Sequence, residues 1–155
     1  MFKKLFFLLI FFSFVLPQNI QLNEIVSSNQ GSYYDEDGDS PDWIEIYNMG
    51  SEAVDLGGMF LSDDPNNSHK YEIPAGVTVP ANGYILFYAD SQPEQGAQHT
   101  NFGLGASGES IWLFASDANG NLPIDGYTFG AQVADISEGR CPDGMGNWQF
   151  FISPT

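Results

Sequence analysis

Glycine and proline set the first limit on what this chain can fold into. Seventeen Gly and nine Pro punctuate the sequence. Beyond residue 18 they cut it into apolar runs too short for helices of ordinary length. Gly57-Gly58, Asn82-Gly83 and Asn119-Gly120 add turn or bulge signals between those runs.

The runs themselves alternate. In Asp42-Trp-Ile-Glu-Ile-Tyr-Asn, Ile44 and Ile46 share one face, and Trp43, Glu45 and Tyr47 share the other. Tyr84–Ala89 is apolar on both faces, which predicts a central strand covered on both sides. Glu109–Ala115 sets Ile111 and Leu113 against Trp112 and Phe114. Further strands are expected at Ala53–Leu56, Met59–Ser62, Lys70–Ile73, Leu122–Phe129, Ala134–Ser137 and Trp148–Ile152. Ile20–Ser28 is ambiguous. Leu22, Ile25 and Val26 suit a helical face, whereas Ile20 and Leu22 alternate as in a strand. The total is about eight or nine short strands, which predicts an all-β sandwich or small barrel.

The N-terminus reads differently. Lys3 and Lys4 precede the uncharged apolar run Leu5–Leu16, the pattern of a secretory signal. The run is short for a bilayer span, which needs about 20 residues. A cleaved signal peptide over residues 1–18 is therefore expected, followed by one domain over residues 19–155 that is secreted, periplasmic or held at the cell surface. The whole chain carries a net charge of −16. Without the leader, Lys70 and Arg140 face 20 acidic residues, a balance of −18. Two cations cannot neutralise a phosphate track, so a nucleic-acid partner is excluded as a class. An anionic membrane surface is disfavoured on the same ground.

Five carboxylates crowd into Asp35-Glu36-Asp37-Gly38-Asp39-Ser40-Pro41-Asp42. Two readings compete. The loop is either simply solvated, or Asp35, Asp37, Asp39 and Asp42 offer oxygen ligands to Ca²⁺. The spacing is not that of an EF-hand loop, because the twelfth position from Asp35 is Ile46. No cofactor is required by the sequence. His69 and His99 form no zinc spacing. Cys141 precedes the turn Pro142-Asp143-Gly144 and has no partner for a disulfide within the chain. Trp43, Tyr47 and Trp112 are either core and cross-strand contacts or an exposed platform for a sugar or protein. Periodicity does not choose between those faces.

Several segments together resemble the lamin tail domain, and most closely its bacterial secreted branch. They are Asp42-Trp-Ile-Glu-Ile-Tyr-Asn, Gly50-Ser-Glu-Ala-Val-Asp-Leu-Gly-Gly and Leu61-Ser-Asp-Asp. The likeness continues through Tyr71-Glu-Ile-Pro-Ala-Gly and Asn82-Gly-Tyr-Ile-Leu-Phe-Tyr-Ala-Asp, then His99-Thr-Asn-Phe-Gly-Leu, Asp135-Ile-Ser-Glu-Gly-Arg and Asn147-Trp. Met59 stands where the family usually has an aromatic. The resemblance implies an immunoglobulin-like β-sandwich with no catalytic residues. It also implies a structural place for His99, and a role as an accessory domain of a longer secreted protein. The expected function is an exported interaction or adhesion module that meets a protein, glycan or cell-surface partner. A Ca²⁺-stabilised carbohydrate-binding sandwich is the alternative. A carboxylate-dependent hydrolase ranks last, because no nucleophile, base and orienting group assemble from the sequence.

Overall fold

The computed structural model describes residues 19–154, so the expected signal peptide lies outside the described residues. β1 (Ile20–Val26), β2 (Asp42–Asn48), β7 (Tyr84–Ala89), β10 (Ser137–Cys141) and β11 (Asn147–Phe151) form one antiparallel sheet, ordered β11-β10-β1-β2-β7. The second sheet is ordered β5-β4-β8-β9, from β4 (Phe60–Ser62), β5 (Tyr71–Glu72), β8 (Ser110–Phe114) and β9 (Pro123–Thr128). The two-residue strands β3 (Val54–Asp55) and β6 (Thr78–Val79) pair separately. The expected all-β sandwich is therefore present, with more and shorter strands than the sequence suggested. Its core joins Leu22, Ile25, Ile44, Ile46 and Phe87 of the first sheet to Leu61, Ile111 and Leu113 of the second.

The ambiguous segment Ile20–Ser28 is a strand with a bulge. Leu22 lies opposite Ile46, Glu24 opposite Glu45 and Ile25 opposite Ile44, so Asn23 is the extra residue. The extra residue reverses the facing of everything after it. Ile20 and Leu22 therefore share the core with Ile25, which a regular strand would turn outward. The spacing that imitates a helical face is the imprint of this bulge.

Two residues from other strands take up the backbone at the bulge. Leu22 N–H donates to Asp125 Oδ2 on β9 at 3.0 Å. Arg140 Nε on β10 donates to the Leu22 carbonyl at 2.9 Å. Arg140 Nη2 also reaches both Asp125 oxygens at 3.1 Å, so one ion pair links the two sheets through β1. Beside it, Tyr127 stacks on Trp148 with ring centres 3.6 Å apart, and the Arg140 guanidinium lies 5.2 Å from the Trp148 ring centre. Tyr127 also donates its hydroxyl to Glu138.

Two expectations need correction. Tyr84–Ala89 is not central, since β7 is the last strand of its sheet. It is apolar on both sides because Phe87 and Ala89 enter the core while Leu86 and Tyr88 join a second cluster with Val26 and Trp43. The segment 98–100 lies along its outer edge. Tyr88 N–H donates to the Gln98 carbonyl at 2.7 Å, and Thr100 N–H to the Tyr88 carbonyl at 2.8 Å. Ala134–Ser137 is not a strand either. Asp135 takes a left-handed backbone with φ 60, and β10 begins at Ser137.

Arg140→Ala would leave Asp125 and the Leu22 carbonyl without their cation. A loss of about 3 kcal/mol is expected in urea unfolding. Asp125→Ala should cost a similar amount, and the double variant less than the sum of the two.

Candidate functional site

The acidic loop connects β1 to β2 and is organised by its first carboxylate. Asp35 Oδ1 accepts the N–H groups of Asp37 at 3.0 Å and Asp39 at 2.8 Å. Asp35 N–H donates to the Asp39 carbonyl, and Gly38 takes φ 87 at the turn. Asp37 and Asp39 are exposed. Asp42 accepts Asn29 N–H at 2.8 Å. Burial pushes the Asp42 carboxyl above its ordinary value, the Asn29 N–H opposes that, and Glu109 adds to it. Among the described residues, no three of these four carboxylates gather within metal-binding reach of one another. Asp35 instead joins Asp90 and His99, with one donor atom from each within 4.8 Å of the others.

The fold builds this second grouping from three separate segments. Asp90 follows the end of β7, His99 lies on the segment beside it, and Asp35 comes over from the β1–β2 loop. The His99 side chain is wholly buried, with Nδ1 2.6 Å from Asp90 Oδ2. Its Nε2 stands 3.5 Å from Glu36 Oε1, an ion-pair distance without hydrogen-bond geometry. Asp35 Oδ2 and His99 Nε2 are both buried without a hydrogen-bond partner. Burial works against a charged imidazole, but Asp90 and Glu36 together outweigh it and raise the His99 pKa. His69 lies apart, exposed, with Nε2 2.8 Å from Asp117. No spacing in the sequence links Asp90 to Asp35, because strand pairing alone brings them together.

The aromatic residues divide. Trp43 is 2% exposed and packs with Val26 and Tyr88, and Tyr33 meets it edge-on at 6.4 Å. It is a core residue, which corrects its place in an exposed platform. Tyr47 lies on the outer face of the first sheet and stacks on Tyr84 at 4.6 Å. Trp112 lies on the outer face of the second sheet, flat against Gly126, where a Cβ would come within 2.3 Å of the indole. Tyr47 and Trp112 thus face opposite sides of the sandwich and share no surface.

One further carboxyl was not singled out by the sequence. Glu45 is 5% exposed and pairs across the strands with the buried Glu24. Asn23 Nδ2 donates to Glu45 at 2.8 Å and approaches Asp143 at 3.3 Å. Asn23 Oδ1 accepts Gly144 N–H at 2.8 Å, and Tyr84 donates to Asp143 at 2.6 Å. Burial pushes the Glu45 carboxyl up to about 7, with Glu24 and Asp143 adding to the rise and Asn23 opposing it. The exposed Cys141 ends β10 and takes no part in this network.

A family model described as Lamin Tail Domain matches residues 17–131. Comparison with curated proteins finds no match. The match ends before β10 and β11, although β10 pairs directly with β1 in the first sheet. Among the described residues, no helix is long and apolar enough to cross a membrane.

A carboxyl whose pKa rises on folding binds its proton more tightly in the native state. Glu45 therefore contributes least at alkaline pH, and stability falls as pH rises from its ordinary value of 4.5 to about 7. The expected outcome is a lower melting temperature at pH 8 than at pH 5. Glu45→Gln should flatten that slope and gain about 1–3 kcal/mol at pH 8. An unchanged slope in the variant refutes this. Trp43→Ala should cost about 3–5 kcal/mol in chemical unfolding, as a core truncation does.

Proposed function

Because the chain belongs to the lamin tail domain family, we propose that it is a non-catalytic interaction module, exported to hold a protein or glycan partner at the cell surface. Family membership is the observation that carries this reading. The fold is a small β-sandwich of the interaction type, and two of its polar clusters are engaged in structure. Asp125 and Arg140 tie the sheets, while Asn23 and Tyr84 hold the loop that carries Asp143. The leader, with Lys3 and Lys4 before an apolar run, supports export.

The strand edge at β11 is the surface best suited to a partner. Phe150 is 58% exposed and Ile152 is 88% exposed, where a monomer would gain by covering them. The carbohydrate reading has less support, because Trp43 is buried and the remaining aromatics face apart. The hydrolase reading names no residue, and the carboxyl with a pKa raised to about 7, Glu45, lies behind Asn23 with little solvent access.

Two measurements test the proposal. The chain expressed in its source cells should appear outside the cytoplasm with its first residues removed, and a cross-linker placed at Phe150 or Ile152 should capture a defined surface partner. An intact leader on a cytoplasmic chain overturns export. The purified protein should turn over no generic ester, phosphate or glycoside. Hydrolysis lost in Glu45→Gln would establish an enzyme instead, and glycan binding lost in Tyr47→Ala or Trp112→Ala would favour the sugar-binding reading.

A further inference from the structure

The grouping at Asp35, Asp90 and His99 carries more negative charge than the chain can balance. Asp35, Asp90 and Glu36 approach a single imidazole, and a fully protonated ring would offset one carboxylate of the three. The described residues contain two other cations, Lys70 and Arg140. Lys70 is paired with Asp63 and Arg140 with Asp125, so neither serves this site. Buried charge without a partner is costly, so a cation from outside the chain would stabilise this grouping.

Two independent features point to a ligand. Asp35 is nine-tenths buried, and its Oδ2 has no hydrogen-bond donor. His99 is fully buried, and its Nε2 also lacks a hydrogen-bond partner, with Glu36 Oε1 at ion-pair distance. The bond from Nδ1 to Asp90 fixes the ring and leaves Nε2 as the coordinating nitrogen, the usual second partner of a metal-bound histidine. Donors held about 2.0–2.2 Å from one ion lie about 3–3.5 Å apart. His99 Nε2 and Glu36 Oε1 already stand at 3.5 Å.

We propose that Asp35, Glu36 and His99 Nε2, with Asp90 orienting the imidazole from Nδ1, form a binding site for a divalent first-row transition-metal ion. An imidazole nitrogen among carboxylate oxygens suits Zn²⁺ or Mn²⁺ and does not suit Ca²⁺, which takes oxygen ligands. Glu36 is 61% exposed, so it provides an entry that the buried residues alone would not. The site ties the β1–β2 loop to the end of β7, and an ion there would hold together segments that no ladder joins.

The test is a titration of chelator-treated full-length protein with Zn²⁺, Mn²⁺ and Ca²⁺, read by calorimetry and melting. One Zn²⁺ per chain is expected, with a rise in melting temperature of at least about 5 °C at a hundredfold excess over Kd. Asp35→Asn keeps the turn-forming Oδ1 and should weaken Zn²⁺ at least tenfold, as should His99→Gln. Glu36→Gln, at an exposed position that leaves the fold intact, should weaken it severalfold, and Asp37→Asn should leave it unchanged. In the unaltered protein, Zn²⁺ should shift the imidazole NMR signals of His99 and not those of His69. No Zn²⁺ binding, equal binding by Asp35→Asn and Glu36→Gln, or a response confined to His69 each overturns the proposal. So does Ca²⁺ binding tighter than Zn²⁺.

Discussion

The bulge at Asn23 is the constraint from which most of this structure follows. One additional residue in β1 lets Leu22 and Ile25 enter the same core, although they differ in strand phase. The cost is a stretch of backbone whose N–H and carbonyl leave the regular pairing. Asp125 and Arg140 bind those two groups and each other, and so draw β9 and β10 onto β1. On the opposite face, the bulged Asn23 side chain reaches Glu45, Asp143 and Gly144. Remove the bulge, and the core, the link between the sheets and the cover over the outer face lose their shared register.

Scarcity of positive charge shapes the rest. A domain with two lysine or arginine residues and 20 acids cannot pair its carboxylates with side-chain cations. It uses backbone N–H groups, an amide and tyrosine hydroxyls instead. Asp35 and Asp42 take N–H groups of the β1–β2 loop, and Asp143 takes the Tyr84 hydroxyl. Where such donors run out, a carboxyl keeps its proton to higher pH, as Glu45 does, or gathers around an imidazole, as Asp35 and Asp90 do around His99.

The strands were legible in the sequence wherever alternation was unbroken. Ile44 and Ile46 fix one face of β2, Ile111 and Leu113 one face of β8, and Asn119-Gly120 marks the turn before β9. The segment β1 was not, because a bulge turns a period of two into a spacing that a helix shares. The acidic run was legible as a run, and Asp35, Asp37, Asp39 and Asp42 were grouped by proximity along the chain without Asp35 being set apart. The neighbours of Asp35 come from residues 90 and 99, and Tyr33 of the loop leading into β2 packs edge-on against Trp43.

The sequence by itself determined an all-β sandwich, its family, a strongly acidic composition, and most of the residues that face the core. Those follow from local properties, since period, turn chemistry and net charge are all written along the chain. The tertiary structure alone decided which carboxylates meet, which aromatic is buried, and which strand lies at the sheet edge. Each of these depends on contacts between segments far apart in sequence. Asp125 meets Leu22 and Asp90 meets Asp35 because of how sheets pair and loops cross, and spacing carries no record of either.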